Sequence, residues 1–86
     1  MAKGTMRYWA AAKAAAGTHE EPYDAATLAE AITAAASRGG RGTEFGRVVE
    51  RSSFLVDGNP VGSRPHESVE LPEGGVVEVL PPFAGG

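Results

Sequence analysis

Val76-Val77-Glu78-Val79-Leu80 reads as a strand, and the two prolines after it, Pro81 and Pro82, limit most tightly what this chain can fold into. A proline has no backbone N–H and a φ fixed near −65°, so the pair ends sheet pairing at Leu80 and carries the chain out extended. Alternation puts Val77 and Val79 on one face and Val76, Glu78 and Leu80 on the other, and the face of the two valines is the expected core side. Any sheet must therefore take this strand as its last and leave Phe83-Ala84-Gly85-Gly86 beyond it. Gly85 and Gly86 carry no Cβ, so another protein's backbone can approach them closely. Extended, the stretch from Pro82 to the carboxylate reaches roughly 16 Å. Glycine-rich ends are often simply frayed, but a large apolar ring at position 83 is a poor choice for a tail that meets only water.

The chain has 86 residues, enough for one small domain and no second core. Much of its 42% hydrophobic content is alanine and only six residues are aromatic, so the core has to be compact and regular. The absence of cysteine excludes a disulfide scaffold, a thiolate zinc site and a cysteine nucleophile. A net charge of −3 without a basic stripe argues against nucleic acid as the main partner. The alanine run from Ala10 to Ala16 is interrupted by Lys13 and is no secretory signal. No stretch approaches transmembrane length. A cytoplasmic protein is expected.

Thr5 to Ala10 reads as the opening strand, with Met6 and Tyr8 toward the core and Arg7 and Trp9 on the other face, Trp9 covering an edge or meeting a partner. Ala11 to Ala16 predicts one or two helical turns stopped by Gly17. Thr18 to Tyr23 returns as a strand that Pro22 confines to an edge or to short length. Thr27 with Glu30 three residues on is a capping-box pattern. Leu28, Ala31, Ile32 and Ala35 follow at helical spacing, and Gly39-Gly40 is the expected stop. Phe45 to Arg51 suits a short helix with Phe45, Val48 and Val49 inward. Ser53 to Asp57 reads as a strand, closed by the turn signal Asp57-Gly58-Asn59-Pro60. Val61 to Ser68 is irregular, Val69 to Leu71 a brief strand or turn, and Pro72 to Gly75 reverses the chain. The order is α+β, with one main helix across one face of a mixed sheet and the first and last strands as neighbours.

Chemistry within the body is thin. Gly39-Gly40-Arg41-Gly42 lacks the Gly-Lys-Ser/Thr ending and the preceding strand of a phosphate loop, and is read as a plain loop. His19 and His66 lie far apart in polar surroundings and read as surface residues rather than metal ligands. Glu20-Glu21 is not spaced as an acid–base couple, and His66 with Ser68 lacks a third group to orient it.

Taken together, Arg7-Tyr8-Trp9-Ala10 leading to Ala15-Ala16-Gly17, the helix start Thr27 to Ala31, Phe54-Leu55-Val56-Asp57-Gly58 and the closing Val79 to Gly86 resemble the small β-grasp sulfur carriers, relatives of ubiquitin in fold. The resemblance is greatest to the small subunit of molybdopterin synthase, with the thiamine-pathway sulfur carrier close behind. The ending Pro-Pro, aromatic, small, Gly-Gly is its specific part; Gly-Gly alone is common to every branch. Two turns depart from the pattern: Gly74-Gly75 stands where Gly-Asp is usual, and Asp57 where asparagine is frequent.

The resemblance implies a ubiquitin-like β-grasp domain over residues 1–80 and a Gly-Gly tail over 81–86. It implies a carrier, not an enzyme. Gly86 would be adenylated and converted to a thiocarboxylate, Gly85 and Ala84 would thread a narrow channel, and Phe83, Pro82 and Pro81 would anchor the tail at the partner's mouth. No cofactor would be bound; ATP would be used by the partner, an activating adenylyltransferase of the ubiquitin-activating type. A sulfurtransferase or persulfide donor and the large subunit of molybdopterin synthase would be further partners, with neither nucleic acid nor membrane among them. Two other readings stay open: a modifier joined to lysines through Gly86, and a non-covalent module whose tail does no chemistry.

Overall fold

The computed structural model describes residues 1–82. Its elements are β1 (Ala2–Tyr8), α1 (Ala10–Ala16), β2 (Glu20–Ala25), α2 (Leu28–Ala36), α3 (Gly42–Glu50), β3 (Ser53–Val56), β4 (Asn59–Pro60), a 3₁₀ turn (His66–Ser68) and β5 (Val76–Leu80). The strands form one mixed sheet in the order β2-β1-β5-β3-β4. β1 and β5 are parallel neighbours, Thr5 opposite Val76 through Tyr8 opposite Val79. β5 also pairs antiparallel with β3, Ser53 opposite Leu80. The final strand therefore lies at the centre of the sheet, and the first is its neighbour, the relation that the sequence predicts.

The core follows from alternation. Met6 and Tyr8 of β1, Tyr23 and Ala25 of β2, Phe54 of β3 and Val77 and Val79 of β5 are buried beneath the helices. α2 contributes Leu28, Ala31 and Ala35, and α3 contributes Phe45 and Val49. The capping box is formed: Thr27 Oγ1 accepts from the Glu30 N–H, and Glu30 Oε1 accepts from the Ala26 N–H. β2 is the edge strand that Pro22 requires, although it runs to Ala25.

Four local expectations need correcting. β1 runs Ala2–Tyr8 rather than Thr5 to Ala10, because the chain turns at Trp9 and Ala10 already opens α1. α2 ends at Ala36, before the glycines, because the Ser37 hydroxyl turns back to the Thr33 carbonyl and its N–H to the Thr33 and Ala34 carbonyls. α3 begins at Gly42 rather than Phe45, since Arg41 is fastened inside the protein just ahead of it. Ile32 is only half-buried: α2 leans on β2, α3 and the 3₁₀ turn, and Ile32 lines an open apolar groove with Ala36, Phe45 and Val49.

Both ends of the hairpin and turn network brace β5. Asp57 and Gly58 have positive φ, as the two-residue β3–β4 hairpin demands. The Asp57 N–H donates to the Val76 carbonyl, and Asp57 Oδ1 accepts from the Val76 N–H, each at 2.8 Å. A Cβ at Gly75 would collide with Pro72 and come within 3.2 Å of Asp57 Oδ1. The two departures from the family pattern thus meet in space: an aspartate at position 75 would crowd the carboxylate of Asp57.

Candidate functional site

β5 delivers the chain to its exit. Val77 and Val79 are fully buried, Leu80 is half-buried opposite Ser53, and Pro81 and Pro82 follow outside the strand, the first half-buried and the second exposed. The two prolines line a groove of about 480 Å³ together with Ala11 of α1, Glu44, Arg47 and Val48 of α3, and Arg51 just after it. The remaining predicted site residues, Phe83, Ala84, Gly85 and Gly86, lie outside the described residues.

On the opposite side of the exit stands Trp9. Its N–H donates to the Val79 carbonyl at 3.2 Å, which fastens the β1–α1 corner to the last strand. Its indole N–H donates to Glu78 Oε1 at 3.1 Å, and its ring meets His19 edge-on at 5.5 Å. At 40% exposure it offers an aromatic surface beside the strand that leads to the tail. His66 similarly stands edge-on to Phe54 at 5.0 Å. Both histidines are therefore aromatic neighbours, and among the described residues no three His, Cys, Asp or Glu side chains gather as a metal site.

Beneath the helices lies a polar cluster that sequence reading missed. Arg41 and Glu21 are 8% and 9% exposed, and the guanidinium reaches the carboxylate with two bonds, at 2.5 and 2.7 Å. Arg41 also donates to the Ala35 and Ala16 carbonyls and lies over the Phe45 ring at 4.8 Å. The Tyr8 hydroxyl donates to Glu21 Oε2. Burial alone would push the Glu21 carboxyl up, but the bonds from Arg41 and Tyr8 and the charges of Arg41 and Arg38 outweigh it and hold it below the usual glutamate range. Burial, reinforced by Glu21, pushes the Tyr8 phenol well above its ordinary value. The part-buried cluster leaves no buried side-chain polar atom without a partner among the described residues, and it ties the α2–α3 connection to β2. Its one sequence signal was an arginine between glycines, Gly40 and Gly42, which both take positive φ and turn Arg41 inward.

A family model, the ThiS family, matches residues 6–86. The chain belongs to the ThiS family. Its match runs through the described body and on to Gly86. No individually curated protein matches the sequence. Among solved structures, the small archaeal modifier protein 1 of Methanosarcina acetivorans superposes with a TM-score of 0.81 at 19% identity, covering 100% of this chain and 98% of that one. A candidate molybdopterin converting factor, subunit 1, from Pyrococcus furiosus gives 0.75 at 24% identity over 96% and 100%. Small archaeal modifier protein 1 from Haloferax volcanii gives 0.76 at 19% over 98% and 99%. At these identities the likenesses establish the fold, and they confirm the ubiquitin-like β-grasp. This chain is thus a small ThiS-family protein with a ubiquitin-like fold, and among its described residues no helix is long and apolar enough to cross a membrane.

Proposed function

We propose that this ThiS-family protein carries sulfur on Gly86 for molybdopterin formation, with residues 1–80 as the body and 81–86 as the donor tail. The observation that carries the reading is a family match that includes the Gly-Gly end, on a fold whose central strand leads directly to that end. A free carboxylate is a poor electrophile. A partner adenylyltransferase using ATP would join it to AMP with loss of pyrophosphate. The outer sulfur of a persulfide would then attack the unhindered glycyl carbon and AMP would leave; a second thiol would cleave the resulting acyl disulfide, forming a disulfide with the donor cysteine and leaving Gly86 as a thiocarboxylate. Acid–base groups and metal ions belong to the partners, and this chain supplies reach and recognition: Gly85 and Ala84 pass a narrow channel while Phe83, Pro82 and Pro81 hold its mouth. The Pro-Pro-Phe ending and the likeness to the Pyrococcus protein support the molybdopterin branch and its large subunit as the final partner. A reaction that consumes ATP supports a cytoplasmic protein.

The test is mass spectrometry after incubation with ATP, the adenylyltransferase and a persulfide donor. One oxygen should be replaced by sulfur, confined to the C-terminal peptide. Deleting Gly86 retracts the carbonyl by about 3.3–3.6 Å, and displacement on the order of 1 Å already costs about a hundredfold in rate. A deletion variant that still delivers sulfur at the parental rate rules out the mechanism. A second reading, conjugation to lysines, is favoured by the two modifier proteins with the same fold; a ladder of lysine-linked products in place of thiocarboxylate would establish it.

A further inference from the structure

The groove beside the tail root has a floor and a rim of different chemistry. Ala11, Val48, Pro81 and Pro82 give it apolar walls, and Arg47 of α3 and Arg51, the residue that caps α3, line it as well. Arg47 lies in the last turn of α3 and Arg51 is its C-cap residue, still in the right-handed helical region, so the two, four residues apart, share a face at about 5–6 Å between Cβ atoms. Both are exposed. Among the described residues the guanidinium–carboxylate pairs are made by Arg7, Arg38 and Arg41, and neither Arg47 nor Arg51 has such a partner. Glu44 also borders the groove, but it leaves a local excess of one positive charge on a chain whose net charge is −3.

Like charges at this spacing repel, so the pair is a small cost to the isolated helix. An anion between the two forks removes that cost, and a guanidinium is shaped to take a carboxylate with two parallel bonds. The apolar floor favours a carboxylate borne on a peptide with aliphatic neighbours over a small free anion. Position narrows the partner further, because any protein that draws in the tail must pass the walls formed by Pro81 and Pro82.

We propose that the groove between α1 and α3 docks an acidic, aliphatic segment of the protein that receives the C-terminus, with Arg47 and Arg51 pairing its carboxylates. Docking there fixes the direction from which the tail leaves the body. The proposal rests on the carrier reading only for the identity of that partner.

The groove is tested with the full-length, ¹⁵N-labelled chain, titrated with acetyl-Leu-Glu-Glu-Leu-amide and with its glutamine analogue. The acidic peptide should shift the amides of Ala11, Arg47, Val48 and Arg51, the glutamine analogue should not, and Arg47→Glu/Arg51→Glu should weaken binding at least fivefold. Both side chains are exposed, so the double variant should keep its circular dichroism spectrum. Equal shifts with both peptides, or none at millimolar peptide, overturn the proposal. So do larger shifts of the same amides by ATP, which would assign the groove to a nucleotide. Movement of the Gly85 and Gly86 amides on charge reversal, before any peptide is added, also overturns it, since the occupant would then be the chain's own tail. In ATP–pyrophosphate exchange with the adenylyltransferase, the double variant should raise the KM for the carrier about tenfold and hold kcat. An unchanged KM overturns the docking proposal and leaves the carrier reading standing. Absence of exchange with the parental chain defeats the carrier reading, and the peptide titration still decides the groove.

Discussion

Replacing Glu21 by glutamine should reveal how much of this small fold hangs on one buried ion pair. The substitution keeps the shape and one acceptor but removes the charge, leaving the Arg41 guanidinium, 8% exposed, with neutral partners alone: the amide oxygen, the Ala35 and Ala16 carbonyls and two aromatic faces. Removing one partner of a buried pair costs about 3–5 kcal/mol. A domain of this length has roughly 4–13 kcal/mol in total, so the loss is a large part of its stability. At about 4–8 °C per kcal/mol, the melting temperature should fall by at least ~12 °C. Urea titration at pH 7 measures the free energy directly. The double replacement Glu21→Leu/Arg41→Met, which removes both charges, should recover most of the loss, since apolar substitutes for a buried pair are often neutral or better.

The same pair sets an acid limit. Glu21 titrates below its ordinary value in the folded protein. Its contribution is therefore complete above the unfolded-state value, about 4.3, and disappears as pH falls through the lower folded-state value. The parental protein should lose stability through that window, whereas Glu21→Gln should show a flatter profile that converges with it at the acid end. A Glu21→Gln variant within about 1 kcal/mol of the parent at neutral pH would mean that Arg41 is paired by water in solution, and the reasoning fails.

Ile32→Ala should cost under about 2 kcal/mol, less than the 2–5 typical of a buried isoleucine, because the side chain is half-buried on an open groove; a larger loss in a urea melt would place it in the core. Gly75→Asp should destabilise by about 1–3 kcal/mol through overlap with Pro72 and repulsion from Asp57. Adding Asp57→Asn should relieve the repulsive part, and thermal melts of the single and double variants check both. Phe83→Ala should weaken complex formation with the adenylyltransferase by at least ~1 kcal/mol in calorimetry while leaving the melting temperature nearly unchanged.

What was legible in the sequence is what repeats locally. Period-two alternation at Met6 and Tyr8 and at Val77 and Val79 gave the two central strands and their buried face. The Thr27–Glu30 box gave the helix start, and Asp57-Gly58 the hairpin. What was hidden depends on residues distant in sequence. The partner of Arg41 is Glu21, twenty residues earlier; without that pairing the glycines around Arg41 read as a loop, and the first turn of α3 was lost with it. Ile32 fits the helical stripe perfectly well, but burial depends on where α2 sits over the sheet, which the stripe does not encode. The tail read differently: Pro81 and Pro82 announced an exit, but the arginines beside them became meaningful only when α3 was folded next to it.

The sheet's edges show why recognition should run through the exit and its groove. An exposed edge strand is a template for pairing with another chain. Here β2 carries Pro22, which has no N–H to offer, and β4 is two residues long and ends in Pro60. Both edges are thus poor templates for a partner strand. β5, the strand that leads to the exit, is paired on both sides and cannot be lent. A partner is left with side chains and with the segment beyond Leu80. Because β5 is held at the centre of the sheet and tied to Trp9 and Asp57 at its two ends, the exit stays fixed relative to the groove. A surface that binds the groove therefore receives the tail from a constant position, which is what the proposed donor role of Gly86 requires.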